Sequence, residues 1–230
     1  GPLARSVRDL AITLDVTVGF DRNDPQTAAS VGKIPASYYA ALTTLDPSTL
    51  RLGVLVDRFG TDPEEIELGN RIEALLGKLQ AEGATVIEVA DPEVYASLVE
   101  TPFFVSEFDF RKDMTAYLAA NPSLGFPSLK ALLDDPRIVT NVASLLRPLL
   151  GPAHESELAY LRQRARRTDT RGALLTLMHE YRLDALVYPT ATREAVEIGG
   201  QHTHFNCMLA ANSGLPAISV PAGFGAHGMP

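Results

Sequence analysis

With 230 residues, 46% apolar and 21% charged, the chain is long enough to bury a core and has the composition of an ordinary globular protein. Its net charge of −8 argues against a nucleic-acid groove, because phosphate contacts need clustered Lys and Arg. A single cysteine, Cys207, makes no internal disulfide, and no apolar run approaches the roughly 20 residues that span a bilayer, so a cytoplasmic protein with no nucleic-acid or membrane partner is expected.

In chain order, Val7, Leu10, Ala11, Leu14 and Val18 recur at helical spacing and predict a helix over 6–18. Ser6 followed by Asp9 is a capping-box pattern, and Gly19 sits where a left-handed terminator belongs. Residues 20–50 are rich in Asp, Pro, Ser and Thr and read as a long surface connection. "LGVLV" at 52–56 predicts a strand. Asp62-Pro63-Glu64-Glu65 then supplies an N-cap, a first-turn proline and an acid at the third helical position. The helix it opens is expected to bury Ile72, Leu75, Leu76 and Leu79 and to stop before Gly83. "ATVIEVA" at 84–90 closes a strand-helix-strand unit of the length a parallel crossover needs.

Residues 92–182 read as helices broken by Pro102, Pro122, Pro127, Pro136, Pro148 and Pro152. "RQRARRTDTR" at 162–171 reads as a solvated basic face. "DALVYPT" at 184–190 predicts a strand, "FNCMLAANSG" at 205–214 a short apolar helix, and Ala217-Ile218-Ser219-Val220 a core strand boxed by Pro216 and Pro221. Gly214 and Gly223 are placed for turns that other residues adopt only at a cost. Strands alternating with helices imply an α/β fold: a mixed, largely parallel sheet covered by helices.

The two ends of the chain carry a resemblance. "GPLARSVRDLAITLDVTVGFDRNDPQT" at 1–27, "LRLGVLVDRFGTDPEEIELGNRIEALLGKLQAEGATVIEV" at 50–89, "SEFDFRKDMTAYLAA" at 106–120, "LDALVYPT" and "NSGLPAISVPAGF" followed by "GMP" occur in the order found in amidase-signature hydrolases. Each motif is weak alone; the ordered set is more specific. The resemblance implies a partial amidase-signature domain over 1–230, truncated at both ends, with a helical insertion over roughly 92–182. It also implies a small-molecule amide as substrate and chemistry by a serine nucleophile, a second serine held by a cis peptide, and a lysine base. The family carries those serines in a Gly/Ser-rich stretch ahead of the Gly-Pro helix, and no such stretch occurs in these residues. No catalytic residue is therefore assigned, and the chain is expected to be inactive by itself.

Other patterns in the sequence carry weaker signals. Ser30-Val31-Gly32-Lys33 fits a Ser-x-x-Lys pair, but it precedes Pro35 in a loop and lacks the partner triplets such enzymes require. Cys207 lies in an apolar segment, where cysteine reads as a small core residue. His202, His204 and Cys207 would need His154 or Glu155 to complete a zinc site, and the set reads as a polar loop holding no metal. Glu107, Asp109 and Asp113 read as a charged helix face. No cofactor is expected.

The substrate entrance is expected at residues 190–207, since ligands of α/β sheets gather at the carboxyl ends of strands. Thr190 and Asn206 are the polar groups at its two ends, each able to hydrogen-bond an amide; Asn206 reads equally well as a cap of the following helix. Bare sheet edges left by truncation favour a homodimer. A non-catalytic α/β binding or scaffold module is the alternative reading.

Overall fold

The computed structural model describes residues 1–42, 45–92, 105–151, 156–200, 202 and 204–229, with backbone alone for 105–107. The chain forms two compact units. One comprises Gly1–Asp91, Leu175–Ala211 and Leu215–Pro230, and the other Pro92–Leu174 with Asn212–Gly214.

The first unit opens with α1, Val7–Thr17, whose first turn is capped as expected: the Ser6 hydroxyl accepts from the Asp9 N–H at 3.1 Å. Its end differs from expectation. Val18 is extended and returns its N–H to the Leu14 carbonyl, and Gly19 does not adopt the left-handed backbone. The helix thus closes on an ordinary last-turn bond and leaves through an extended residue in place of a left-handed glycine. Asp15 of α1 then anchors α2, Tyr38–Ala41, by accepting from the Ser37 hydroxyl at 2.7 Å and the Tyr38 N–H at 2.6 Å.

Three parallel strands follow in spatial order β2-β1-β3: β1, Arg51–Leu55; β2, Thr85–Val89; β3, Ala185–Val187. Arg51 pairs with Thr85 and Leu55 with Val89, while Leu52 and Val54 oppose Ala185 and Val187. The α/β class with a parallel sheet flanked by helices is therefore the observed one. Helix α3, Pro63–Ala81, connects β1 to β2, and the capping box read from Asp62 and Glu65 is formed. Its Leu76 packs with Leu52 and Val54, joined by Phe59, Ile72, Leu79, Val86 and Val187. Leu75, expected in this core, is 36% exposed. The apolar stripe follows Ile72, Leu76 and Leu79 at spacings of four and three, which turns Leu75 off the face. Gly83 follows the helix at φ +103°, a backbone that a side chain would strain.

Three predicted elements are shorter or absent, the strand expected over 184–190 being confined to β3, Ala185–Val187. The helix expected over 205–214 is α8, Met208–Ser213. Residues 217–220, expected as a core strand, have no ladder partner among the described residues, and Ile218 and Val220 are more than half exposed. A β-branched run between prolines favours extended backbone, but a strand also requires a neighbour to accept its hydrogen bonds. Gly214 and Gly223 do adopt positive φ, +65° and +109°.

The second unit is helical: α4, Val105–Ala120; α5, Leu129–Leu133; α6, Thr140–Leu146; and most of α7, Glu157–Tyr181, which continues into the first unit. Leu118, Leu129 and Leu133 form its core, with Phe110, Met114, Phe126 and Leu146 packed around them. Asp109 accepts from the Tyr160 hydroxyl at 2.9 Å, a structural use of that charged face. The basic stretch of α7 contributes Arg171, which donates to the Gly214 carbonyl at 2.9 Å. Pro102, Pro152 and the Glu107 side chain lie outside the described residues. No helix among the described residues is long and apolar enough to cross a membrane.

Candidate functional site

Polar groups concentrate where the three parallel strands end. Arg58, three residues beyond β1, forms a largely buried ion pair with Asp91, two residues beyond β2. The Asp91 N–H donates to the Asp57 carboxylate at 2.7 Å, so the two exit loops close on each other. Tyr188 follows β3 directly. Burial pushes its phenol above the ordinary value, Cys207 and Asp91 add to this, and Arg58 opposes it.

After β3 the chain leaves and doubles back on itself. Ala191 and Phe205 form an antiparallel bridge. The Asn206 N–H donates to the Thr190 carbonyl at 2.9 Å and the Thr192 N–H to the His204 carbonyl at 3.0 Å. Thr190 and Asn206, the two residues singled out from sequence, are thus brought together through their backbones. The Asn206 side-chain amide donates to the carbonyls of Arg58 at 3.0 Å and Pro189 at 2.9 Å, tying the exits of β1 and β3. The Thr190 hydroxyl lies 3.0 Å from that of Ser219, which links this rim to the 215–224 segment.

The centre of the rim is a residue read from sequence only as a helix-capping acid. Glu65, buried at the third position of α3, accepts from the Asp62 N–H at 3.1 Å, the Thr192 hydroxyl at 2.8 Å and Arg193 Nε at 3.4 Å. His204 Nδ1 lies 3.0 Å from the same carboxylate, and Arg193 also pairs with Asp62. The Asp62 N–H, the Thr192 hydroxyl and the Arg193 charge together hold the Glu65 carboxyl down at about 2. The available signal was positional: a helix that starts just beyond a strand's carboxyl end carries its first-turn acid to the rim. Further out, Glu194 accepts from the His227 ring at 2.7 Å and from its N–H at 3.2 Å, and these bonds lower the Glu194 carboxyl.

The Ser30 hydroxyl donates to the Thr27 carbonyl at 2.7 Å, and Lys33 meets Ser30 only through its backbone N–H. Cys207 is exposed rather than part of the core, and it lies one residue before α8 rather than within a helix. His202 leans against Phe205 with ring centroids 6.3 Å apart, while His204 turns to Glu65. His154 and Glu155 lie outside the described residues, among which no group of three or more His, Cys, Asp or Glu is arranged to hold a metal. An open depression lined by Met178, His179, Glu180, Arg182, Leu183 and Asp184 lies just before β3, at the amino end of the strand.

A parallel sheet whose loops converge at the carboxyl ends is the architecture of α/β proteins that handle small ligands there. The amidase family model matches residues 1–230, and the chain belongs to that family. It is similar to the mandelamide hydrolase of Pseudomonas putida, with 29% identity over 97% of this chain and 43% of the relative. A glutamyl-tRNA(Gln) amidotransferase subunit of Thermosynechococcus vestitus is 26% identical over 100% of this chain and 49% of its own length. Among solved structures, the native peptide amidase of Stenotrophomonas maltophilia superposes with a TM-score of 0.77 and 27% identity, covering 100% of this chain and 47% of that one. The chain spans about half the length of the curated relatives it matches.

Proposed function

We propose that these 230 residues are the C-terminal portion of an amide hydrolase and that they supply the sheet, its covering helices and part of the substrate rim rather than the nucleophile. One observation carries the reading: the amidase family model matches the whole chain, yet the chain contains no Gly/Ser-rich stretch. In the intact enzyme the lysine would take a proton from the bridging serine, and that serine from the nucleophile. The nucleophile's oxygen would attack the amide carbon, the amine would leave with a proton, and water would then release the acid from the acyl-enzyme. Backbone N–H groups of the Gly/Ser-rich stretch would hold the oxyanion.

Within this chain, residues 190–207 form the substrate entrance. The exposed Thr190 side chain offers a hydroxyl to the amide, and Asn206 fixes the loop that presents it. Relatives named mandelamide hydrolase and peptide amidase suggest mandelamide and peptide amides as test substrates. The intact gene product should release ammonia from at least one of these, and residues 1–230 alone should release none. Ammonia release by residues 1–230 alone would overturn the proposal. A homodimer through the outer edge of β2 or β3 accompanies this reading, and sedimentation of residues 1–230 tests it.

A further inference from the structure

The segment that follows β3 contains two glycines, Gly199 and Gly200, and its only backbone ladder among the described residues is the short pairing around Ala191 and Phe205. Such a loop does not hold one conformation by backbone alone. Several of its side-chain ties converge on a single group, beside those of Asn206 to the strand exits and of Thr190 to Ser219. The Glu65 carboxylate meets Thr192 and Arg193 on the outgoing arm and His204 on the returning arm. The charged and titratable groups facing it are Arg193 and His204 from the loop and Asp62 from its own helix cap, which itself pairs with Arg193.

We propose that Glu65 is the positioning residue of the rim: its charged carboxylate holds the outgoing arm at Thr192 and Arg193 and the returning arm at His204 in one conformation, and neutralising it frees those arms while α3 and the sheet stay intact. A hydrogen bond to a charged acceptor is worth roughly twice a neutral one, and here one charge serves donors on both arms. The competing role is the capping box, in which Glu65 accepts from the Asp62 N–H. The two roles separate chemically, because glutamine at this helix position also caps but carries no charge.

The test is hydrogen exchange on residues 1–230, so its failure would leave the amide-hydrolase reading standing. The reporters are the amides of Thr192 and Asn206, which bridge the two arms. The controls are Ile66, bonded to Asp62 in the first turn of α3, and Thr85, bonded to Leu50 at the start of β2. In Glu65→Gln the reporters should exchange about tenfold faster or more, the scale of one lost charge-assisted bond, with the controls unchanged. Four unchanged amides would reduce Glu65 to a cap and overturn the proposal, as would four amides loosening together.

Wild-type protein supplies an independent arm that needs no variant to fold. As the pH falls from the ordinary carboxylate range toward about 2, the reporter amide shifts should step while Ile66 and Thr85 hold. Reporters that do not step, or that step only together with the controls, would overturn it.

Discussion

The 190–206 loop and the 215–224 segment of the same unit are ordered by opposite means. The loop is polar and irregular, yet it is fastened at Thr192, Arg193, His204 and Asn206 by bonds to α3 and to the strand exits, and at Thr190 by a bond to Ser219 of the later segment. The later segment is apolar, yet Ile218, Val220 and Phe224 are 56%, 58% and 66% exposed. Apolar sequence does not by itself bury a segment; neighbours must be in place to cover it.

Removing the floor beneath the rim should have the largest effect. Leu55, the last residue of β1, is fully buried, and Leu55→Ala should cost about 2–5 kcal/mol in denaturant unfolding. A cost no larger than that of a surface change would show that the rim does not rest on the sheet. Next come the loop's own fasteners. Asn206→Ala removes both donations to Arg58 and Pro189, and Thr192→Val removes a buried hydroxyl from Glu65; each should cost about 1–3 kcal/mol. If Asn206→Ala instead left stability intact and raised only the Michaelis constant of the intact enzyme, its amide would serve substrate rather than the loop.

Acid should then weaken the loop selectively. The folded Glu65 carboxyl sits at about 2, below the ordinary value of 4.5, so the stability it contributes is complete above about 4.5 and is lost as the pH falls from there toward 2. Denaturant midpoints measured across that range should drop more steeply for wild type than for Glu65→Gln. The smallest effect belongs to the exposed segment: Ile218→Ser should change stability by no more than about 0.5 kcal/mol. A larger loss would mean that Ile218 is packed more tightly than its exposure indicates.

What was legible in the sequence was local. The Asp62-Pro63-Glu64-Glu65 start, the Ile72-Leu76-Leu79 stripe and the two β-branched runs at 52–56 and 84–90 announce α3, β1 and β2, because caps and periodicity depend on near neighbours. The strand expected at 217–220 failed because pairing is a property of two segments, and the sequence states only one. Thr190 and Asn206 were singled out from their place at the strand exit, where the structure joins them by a backbone hydrogen bond. Glu65 was seen only as a cap because the partners that give it a second role, Thr192 and Arg193, lie 127 and 128 residues away. Arg58 and Asp91 were missed for the same reason, their pairing spanning 33 residues.

The central claim, that these residues build the rim of an amide hydrolase without holding its nucleophile, is tested most directly by covalent labelling. The intact gene product is treated with a fluorophosphonate and the modified serine is located by peptide mapping. The account predicts a single stoichiometric label on a serine outside residues 1–230. A label on Ser30 or any other serine within 1–230 would contradict the division of labour, and an active-site label on no serine at all would contradict the hydrolase itself.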